Sequence, residues 1–156
     1  MYYFPFAIEN PCQVKNFEVS LLLKIALAQI EVIPGRPDLN AQKMLHFIQQ
    51  AKSASADLIL FPEMSIPGYL LVDTWEQPAF LRDCETWGKE IAQAADQICI
   101  LFGNIAVDWH KISDDGRVRK YNAFFAAQNG KLIGDENFPY PFRIKTLQPN
   151  YREFDD

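Results

Sequence analysis

Glu63 and Lys145 are the two charged residues best placed in the sequence to do chemistry. Glu63 ends the stretch "DLILFPE", in which the apolar run Leu58-Ile59-Leu60-Phe61 stops abruptly at Pro62. A carboxylate just past the carboxyl end of a buried strand lies at the edge where open α/β sheets bind ligands. Pro62 restricts the backbone ahead of it. Partial desolvation there would raise its pKa and suit it to act as a general base. Lys145, between Ile144 and Thr146, falls in a segment rich in Pro and aromatics. Held in an ordered loop, an ammonium group can stabilise an oxyanion by charge and hydrogen bonding. Taken alone, each residue is more often an ordinary solvated side chain.

The other reactive residue types offer less. In "PNYREFDD", Tyr151 could face a small polar ligand and Arg152 could pair with Glu153 or Asp155, but such a run is equally a turn with solvated charges. Cys99 lies in the apolar run "QICILF" and Cys84 on the apolar side of a predicted helix, both expected to be inert core. Cys12 lies in an irregular leader, and no cysteine occupies a turn beside a strand end, where reactive thiolates are placed. Three cysteines without regular spacing fit neither a disulfide framework nor a zinc pattern. His46 and His110 are too far apart in sequence to suggest a local metal site, and both are expected at the surface or in structural roles. No metal is expected.

The elements that must hold these residues can be read from periodicity. "LLLKIALAQI" and "DLILF" read as strands covered on both faces. "PGRPDLN" reads as a loop, with Asp38 or Asn40 as a helix cap. The helix that follows places Ala41, Met44, Leu45, Ile48 and Ala51 on one side. A second helix is predicted over about 78–95, with Phe80, Leu81, Cys84, Trp87, Ile91 and Ala94 on its apolar side. "QICILFGNIAV" reads as a third apolar strand closed by Gly103-Asn104. The order β-α-β-α-β predicts a sheet covered by helices. After the polar loop "SDDGRVRK", the Asn129-Gly130 pair between two strand-like runs is a type I′ hairpin signal. The last stretch, "ENFPYPFRIKTLQPNYREFDD", carries three prolines and reads as an ordered loop with short elements.

Composition narrows the function. With 156 residues, 49% apolar and 22% charged, the chain is long enough for one globular domain. A net charge of −5 and no Lys/Arg cluster argue against nucleic acid or an anionic membrane as the main partner. The aromatic leader "MYYFPFAIENPCQVKNFEVSLLL" lacks a basic start and is broken by Glu9 and Pro11, so it reads poorly as a signal peptide. No run approaches the roughly 20 apolar residues that span a bilayer. A reducing, cytoplasmic setting is expected.

Four segments, "KIALAQI", "ADLILFPEMSIPGY", "YNAFFAAQNGKLIG" and "KTLQPNYREFDD", come in an order that resembles the nitrilase (carbon–nitrogen hydrolase) superfamily. More narrowly, Gly68, Tyr69 and Asp73 in "GYLLVD", together with "KTLQPNYREF", resemble the amino-terminal glutaminase domains of glutamine-dependent NAD synthetases. Gln148 departs from that pattern, standing where the family tends to have Leu, while the spacing from Lys145 to Pro149 and Tyr151 is kept.

The resemblance implies an α/β fold, the first half of a four-layer α-β-β-α sandwich over residues 23–156. Residues 1–22 would be an N-terminal extension ahead of the family's usual start, and an upstream misreading of the start site is one source for it. It also implies a Glu-Lys-Cys triad, with Glu63 as base, Lys145 as oxyanion stabiliser, and Tyr69 and Tyr151 lining a glutamine pocket. The family's nucleophilic cysteine follows the Lys motif, and none of the three cysteines here matches it, so this stretch alone is expected to be inactive. No cofactor is implied in this half. ATP and magnesium belong to a synthetase domain absent here, and no Gly-rich phosphate loop is present. Self-association into homo-oligomers is implied for an intact domain. Two other readings stay open: an amidase or carbamoylase acting on another small amide, and a non-catalytic remnant.

Overall fold

The computed structural model describes residues 2–7, 22–134 and 140–146. Its centre is a mixed sheet whose strands run in the order β1 (Tyr2–Ala7), β2 (Leu22–Leu27), β3 (Leu58–Leu60), β4 (Cys99–Ile112), β5 (Val118–Gln128) and β6 (Lys131–Leu132). A seventh strand, β7 (Arg143–Ile144), joins the same edge of β5 that β6 occupies further along. β2, β3 and β4 are parallel, and two helices make the connections between them: α1 (Pro37–Ser53) and α2 (Pro78–Gln93). Short parallel strands alternating with helices are the β-α-β-α-β order that periodicity predicts. From β4 onward the pairing is antiparallel. Asn129 and Gly130 both adopt positive φ, 54° and 72°, as the type I′ turn between β5 and β6 requires.

The core lies between the sheet and the two helices. Ala26, Ile59, Ile100 and Ala127 form one row across four neighbouring strands, and all are fully buried. Met44 and Ile48 from α1 and Leu81, Cys84 and Ile91 from α2 complete this layer. Spacing of three and four residues puts these side chains on one stripe of each helix. On α2 the buried position is Gly88 rather than Trp87, which is only partly buried. A Cβ on Gly88 would lie 2.9 Å from Asn104 Nδ2, so the missing side chain lets helix and sheet approach. Asn104, 2% exposed, donates to the Cys84 carbonyl at 2.9 Å and so ties β4 to α2.

Several sequence expectations are corrected. β3 is covered on one face only: Ile59 is buried, whereas Leu60 is 36% exposed. Phe124 is 40% exposed, so apolar side chains remain uncovered on β3 and β5. β4 does not close at Gly103-Asn104 but continues to Ile112, paired with β5 along much of its length. Regular structure begins before Leu21, because β1 pairs antiparallel with β2. Neither Asp38 nor Asn40 caps α1. Arg36 holds the N-cap position without a side-chain bond, and Pro37 takes the first turn, where its missing N–H costs nothing. Asn40 is instead fully buried inside the helix, and its amide accepts from Ile33 N–H and donates to the carbonyls of Ile33 and Ile66. The apolar leader beyond Ala7 lies outside the described residues.

Candidate functional site

The segment after β3 passes directly over β4. Phe61 is buried and its N–H donates to the Leu101 carbonyl at 2.9 Å, which extends the ladder one residue past the strand. Met64 turns the chain with φ 51°, and the buried Ser65 hydroxyl donates to the Gly103 carbonyl at 3.1 Å. Gly68, at φ 81°, packs so closely on Pro34 that a Cβ would lie 2.8 Å from Pro34 Cα. This is backbone that only glycine adopts without strain. The segment from Phe61 to Gly68 is thus fixed on both sides, and Glu63 projects from it with 45% of its side chain exposed.

Three groups converge on Glu63. Lys145 Nζ donates to Oε1 at 2.7 Å, and Asn122 Nδ2 donates to the same oxygen at 2.6 Å. The Tyr69 hydroxyl bears on the same carboxylate. These residues come from three places in the sequence: the turn after β3, the middle of β5, and the residue after β7. β7 aligns Ile144 with Ala123, and the Lys145 N–H donates to the Asn122 carbonyl at 2.9 Å. Lys145 is therefore registered to β5 by backbone pairing rather than carried on a loose loop.

An aromatic series supports that register. Phe102, buried in the core, stacks on Phe125 with ring centroids 5.3 Å apart. Phe125 meets Phe142 at 5.3 Å, and Phe142 stacks on Tyr140 at 4.9 Å. The Tyr140 hydroxyl then donates to Asp108 Oδ2 at 2.9 Å. Offset aromatic pairs at these separations are attractive beyond their buried area, so residues 140–144 are pinned to β4 and β5 just ahead of Lys145. The prolines and aromatics of this segment, expected to make an ordered loop, supply those contacts.

The electrostatics of Glu63 differ from the sequence expectation. Burial pushes its carboxyl up, but donation from Lys145, Tyr69 and Asn122, together with the Lys145 charge, outweighs burial and holds it below its ordinary value. A raised pKa was expected from desolvation alone; the converging donors are what that expectation lacked. The Glu63 carboxylate is ionised at neutral pH. Tyr69 moves the other way, pushed up to about 12 by burial and by the adjoining carboxylate, so it stays a neutral phenol. The site can therefore take up a proton at the carboxylate and offer a cation to a developing negative charge.

The structure thus brings Glu63, Lys145 and Tyr69 together, while Tyr151 lies outside the described residues, as does Arg152. Sequence reasoning missed Asn122. Its only signal was its place in "YNAFF", a polar residue in an otherwise strand-like run. The cysteines stay apart from the site among the described residues. Cys84 is fully buried and its thiol is pushed up to about 12 by burial, while Cys99 opens β4 and is raised by burial too. His46 and His110 are exposed, as expected. Among the described residues no group of His, Cys, Asp and Glu could hold a metal ion, and no helix is long and apolar enough to cross a membrane.

The model of the carbon–nitrogen hydrolase family matches residues 24–145, which runs from β2 through the Glu63 turn to Lys145. The chain belongs to the carbon–nitrogen hydrolase family. Among its relatives are the glutamine-dependent NAD(+) synthetases of Acinetobacter baylyi, 32% identical over 133 residues, and Xylella fastidiosa, 34% identical over 139 residues. These alignments cover 85% and 88% of this chain but only 22% and 23% of the relatives, so the chain spans about a fifth of their length. The solved glutamine-dependent NAD+ synthetase of Acinetobacter baumannii superposes with a TM-score of 0.67 at 31% identity, over 85% of this chain and 22% of that one. An amidase of the nitrilase superfamily from Nesterenkonia superposes with a TM-score of 0.66 at 17% identity, over 85% of this chain and 46% of that one, which speaks to the fold alone.

Proposed function

We propose that the complete polypeptide carrying this chain hydrolyses the side-chain amide of glutamine and supplies the ammonia to NAD synthesis. The observation that supports this most directly is the Glu63–Lys145 contact of 2.7 Å at the carboxyl end of β3, in a chain homologous to glutamine-dependent NAD synthetases. In this reading residues 23–156 form the first half of a four-layer α-β-β-α hydrolase domain.

Glu63 is the general base. It takes the proton of a cysteine thiol supplied by sequence beyond the described residues, and the thiolate attacks the glutamine amide carbon. Lys145 stabilises the oxyanion of the tetrahedral intermediate. Ammonia leaves, and water then hydrolyses the thioester to release glutamate. Tyr69, a neutral phenol beside the carboxylate, and Tyr151 line the amide pocket. Neither described cysteine, Cys84 or Cys99, lies at the site, which supports the reading that this stretch by itself is inactive. It needs no cofactor of its own; ATP and magnesium act in a separate synthetase domain. The setting is cytoplasmic, the intact domain associates with copies of itself, and neither nucleic acid nor membrane is a partner.

The test uses the complete polypeptide with ATP, magnesium, nicotinic acid adenine dinucleotide and amide-15N glutamine. Transfer of 15N into the carboxamide of NAD supports the reading. Glutamate release without labelled NAD points to a free-standing amidase, and no release from glutamine refutes the proposal.

A further inference from the structure

Asn122 makes two contacts that no other described residue makes together. Its side-chain Nδ2 donates to Glu63 Oε1 at 2.6 Å, and its backbone carbonyl accepts the Lys145 N–H at 2.9 Å. One residue of β5 thus touches both the carboxylate and the chain that brings the ammonium. Asn122 is itself fixed, since its neighbours Tyr121 and Ala123 pair with Ala106 and Asn104 of β4, and Ala123 also pairs with Ile144 of β7. The other two groups on the carboxylate are less constrained. Lys145 is a point charge on a flexible four-carbon stem, and Tyr69 stands beside the exposed Leu70.

The geometry points to a specific role. A carboxylate turns broadly about its last torsion, and a lysine can pair with either oxygen. Asn122 and Lys145 both donate to Oε1, so two donors from different parts of the chain together hold that oxygen and, with it, the turn of the carboxylate. We propose that Asn122 is a positioning residue that fixes the Glu63 rotamer and, through its carbonyl, the register of Lys145, so that the carboxylate is held in the orientation that receives the thiol proton. In that step the S–H bond breaks, an O–H bond forms at the Glu63 carboxylate, and the electron pair stays on sulfur. This rests on Glu63 serving as the base. Among the described residues, the charged and titratable groups facing Glu63 are Lys145 and Tyr69, and Asn122 adds a neutral donor to them.

The experiment compares Asn122→Ala and Asn122→Asp with the parent in the complete polypeptide. Two quantities are read: the Glu63 carboxyl 13C resonance against pH, assigned by its loss in Glu63→Gln, and the pH profile of kcat/KM for glutamine. Removing the donor should move the Glu63 midpoint to higher pH in Asn122→Ala. It should move further in Asn122→Asp, which keeps the shape but sets a second carboxylate against the first. The acid limb of kcat/KM should move the same way, and kcat/KM should fall about tenfold to a hundredfold, the range of one charge-assisted hydrogen bond. A residue that merely fills space would give the opposite ranking, with the isosteric Asp near parental and Glu63 titrating unchanged; that result overturns the proposal. Should the parent not hydrolyse glutamine while the Glu63 midpoint still moves, the proposed function fails and the Asn122 clamp stands. If the parent is active and the midpoint is unmoved, the clamp fails alone.

Discussion

Gly103 and Glu63 are held in backbone contact: a Cβ built on Gly103 would lie 2.7 Å from Glu63 Cα and 2.3 Å from Met64 N. β4 runs straight beneath the turn that presents the carboxylate, and only hydrogen fits between them. Gly103→Ala should therefore push the turn away from the sheet. We expect a loss of about 1–3 kcal/mol in stability, as in other overpacked sites, and a loss of amide hydrolysis larger than that stability change explains. Thermal unfolding and kinetics of the complete polypeptide check both.

The two charged groups should fail differently. Glu63→Gln removes the proposed base and should lower kcat by about 10²–10⁴-fold, the range for general acid–base catalysis. Lys145→Met removes the proposed oxyanion stabiliser and should lower kcat by about 10²–10³-fold, as for other oxyanion donors. Neither substitution opens a core cavity, so the melting temperature should fall only by the small contribution of a partly exposed ion pair.

The pH response follows from the sign of the Glu63 shift. Its folded pKa lies below the ordinary 4.5, so the stability contributed by the Glu63–Lys145 contact is present above that value and lost as pH falls through the lower, folded value. Activity should be flat with respect to Glu63 near neutrality, with its acid limb falling below 4.5. Lys145→Met removes a charge that holds the carboxyl down, so the acid limb should move to higher pH in any residual activity. An acid limb unmoved in Lys145→Met would show that the pair seen here is absent in solution.

Tyr140 tests the support behind Lys145. Tyr140→Phe keeps the ring on Phe142 and deletes only the hydroxyl donated to Asp108 at 2.9 Å. A hydrogen bond between groups this open to water contributes only a small part of the stability. We expect a small loss of stability and a several-fold loss in kcat with KM little changed, because only the register of residues 140–145 loosens.

The 156-residue chain prepared alone should associate with itself. Leu60 and Phe124 are 36% and 40% exposed on the sheet, and Leu70 and Val72 are 75% and 79% exposed beyond Tyr69. Uncovered apolar surface of this kind drives association. Light scattering that finds a stable monomer at high concentration would count against this.

Much of the fold was legible because its signals are local. The helical stripes of α1 and α2, the apolar β3 and the Asn129-Gly130 turn all follow from spacing within a few residues. Glu63 and Lys145 were legible for a different reason: they stand in motifs resembling a known family. What failed was long-range. Gly103 reads locally as a strand end, yet its lack of a side chain answers to Glu63 and Met64, some 40 residues away in sequence. Asn40 reads as a cap, yet it is a buried amide satisfied by Ile33 and Ile66. The direction of the Glu63 shift depends on Asn122 and Lys145, which no local pattern places beside it.

The most direct test of the account is glutamate release from glutamine by the complete polypeptide, compared with its Glu63→Gln and Lys145→Met variants. The account predicts steady glutamate and ammonia production by the parent and a loss of at least about a hundredfold in kcat in each variant. A parent that leaves glutamine intact, or variants that hydrolyse it at the parental rate, would contradict it.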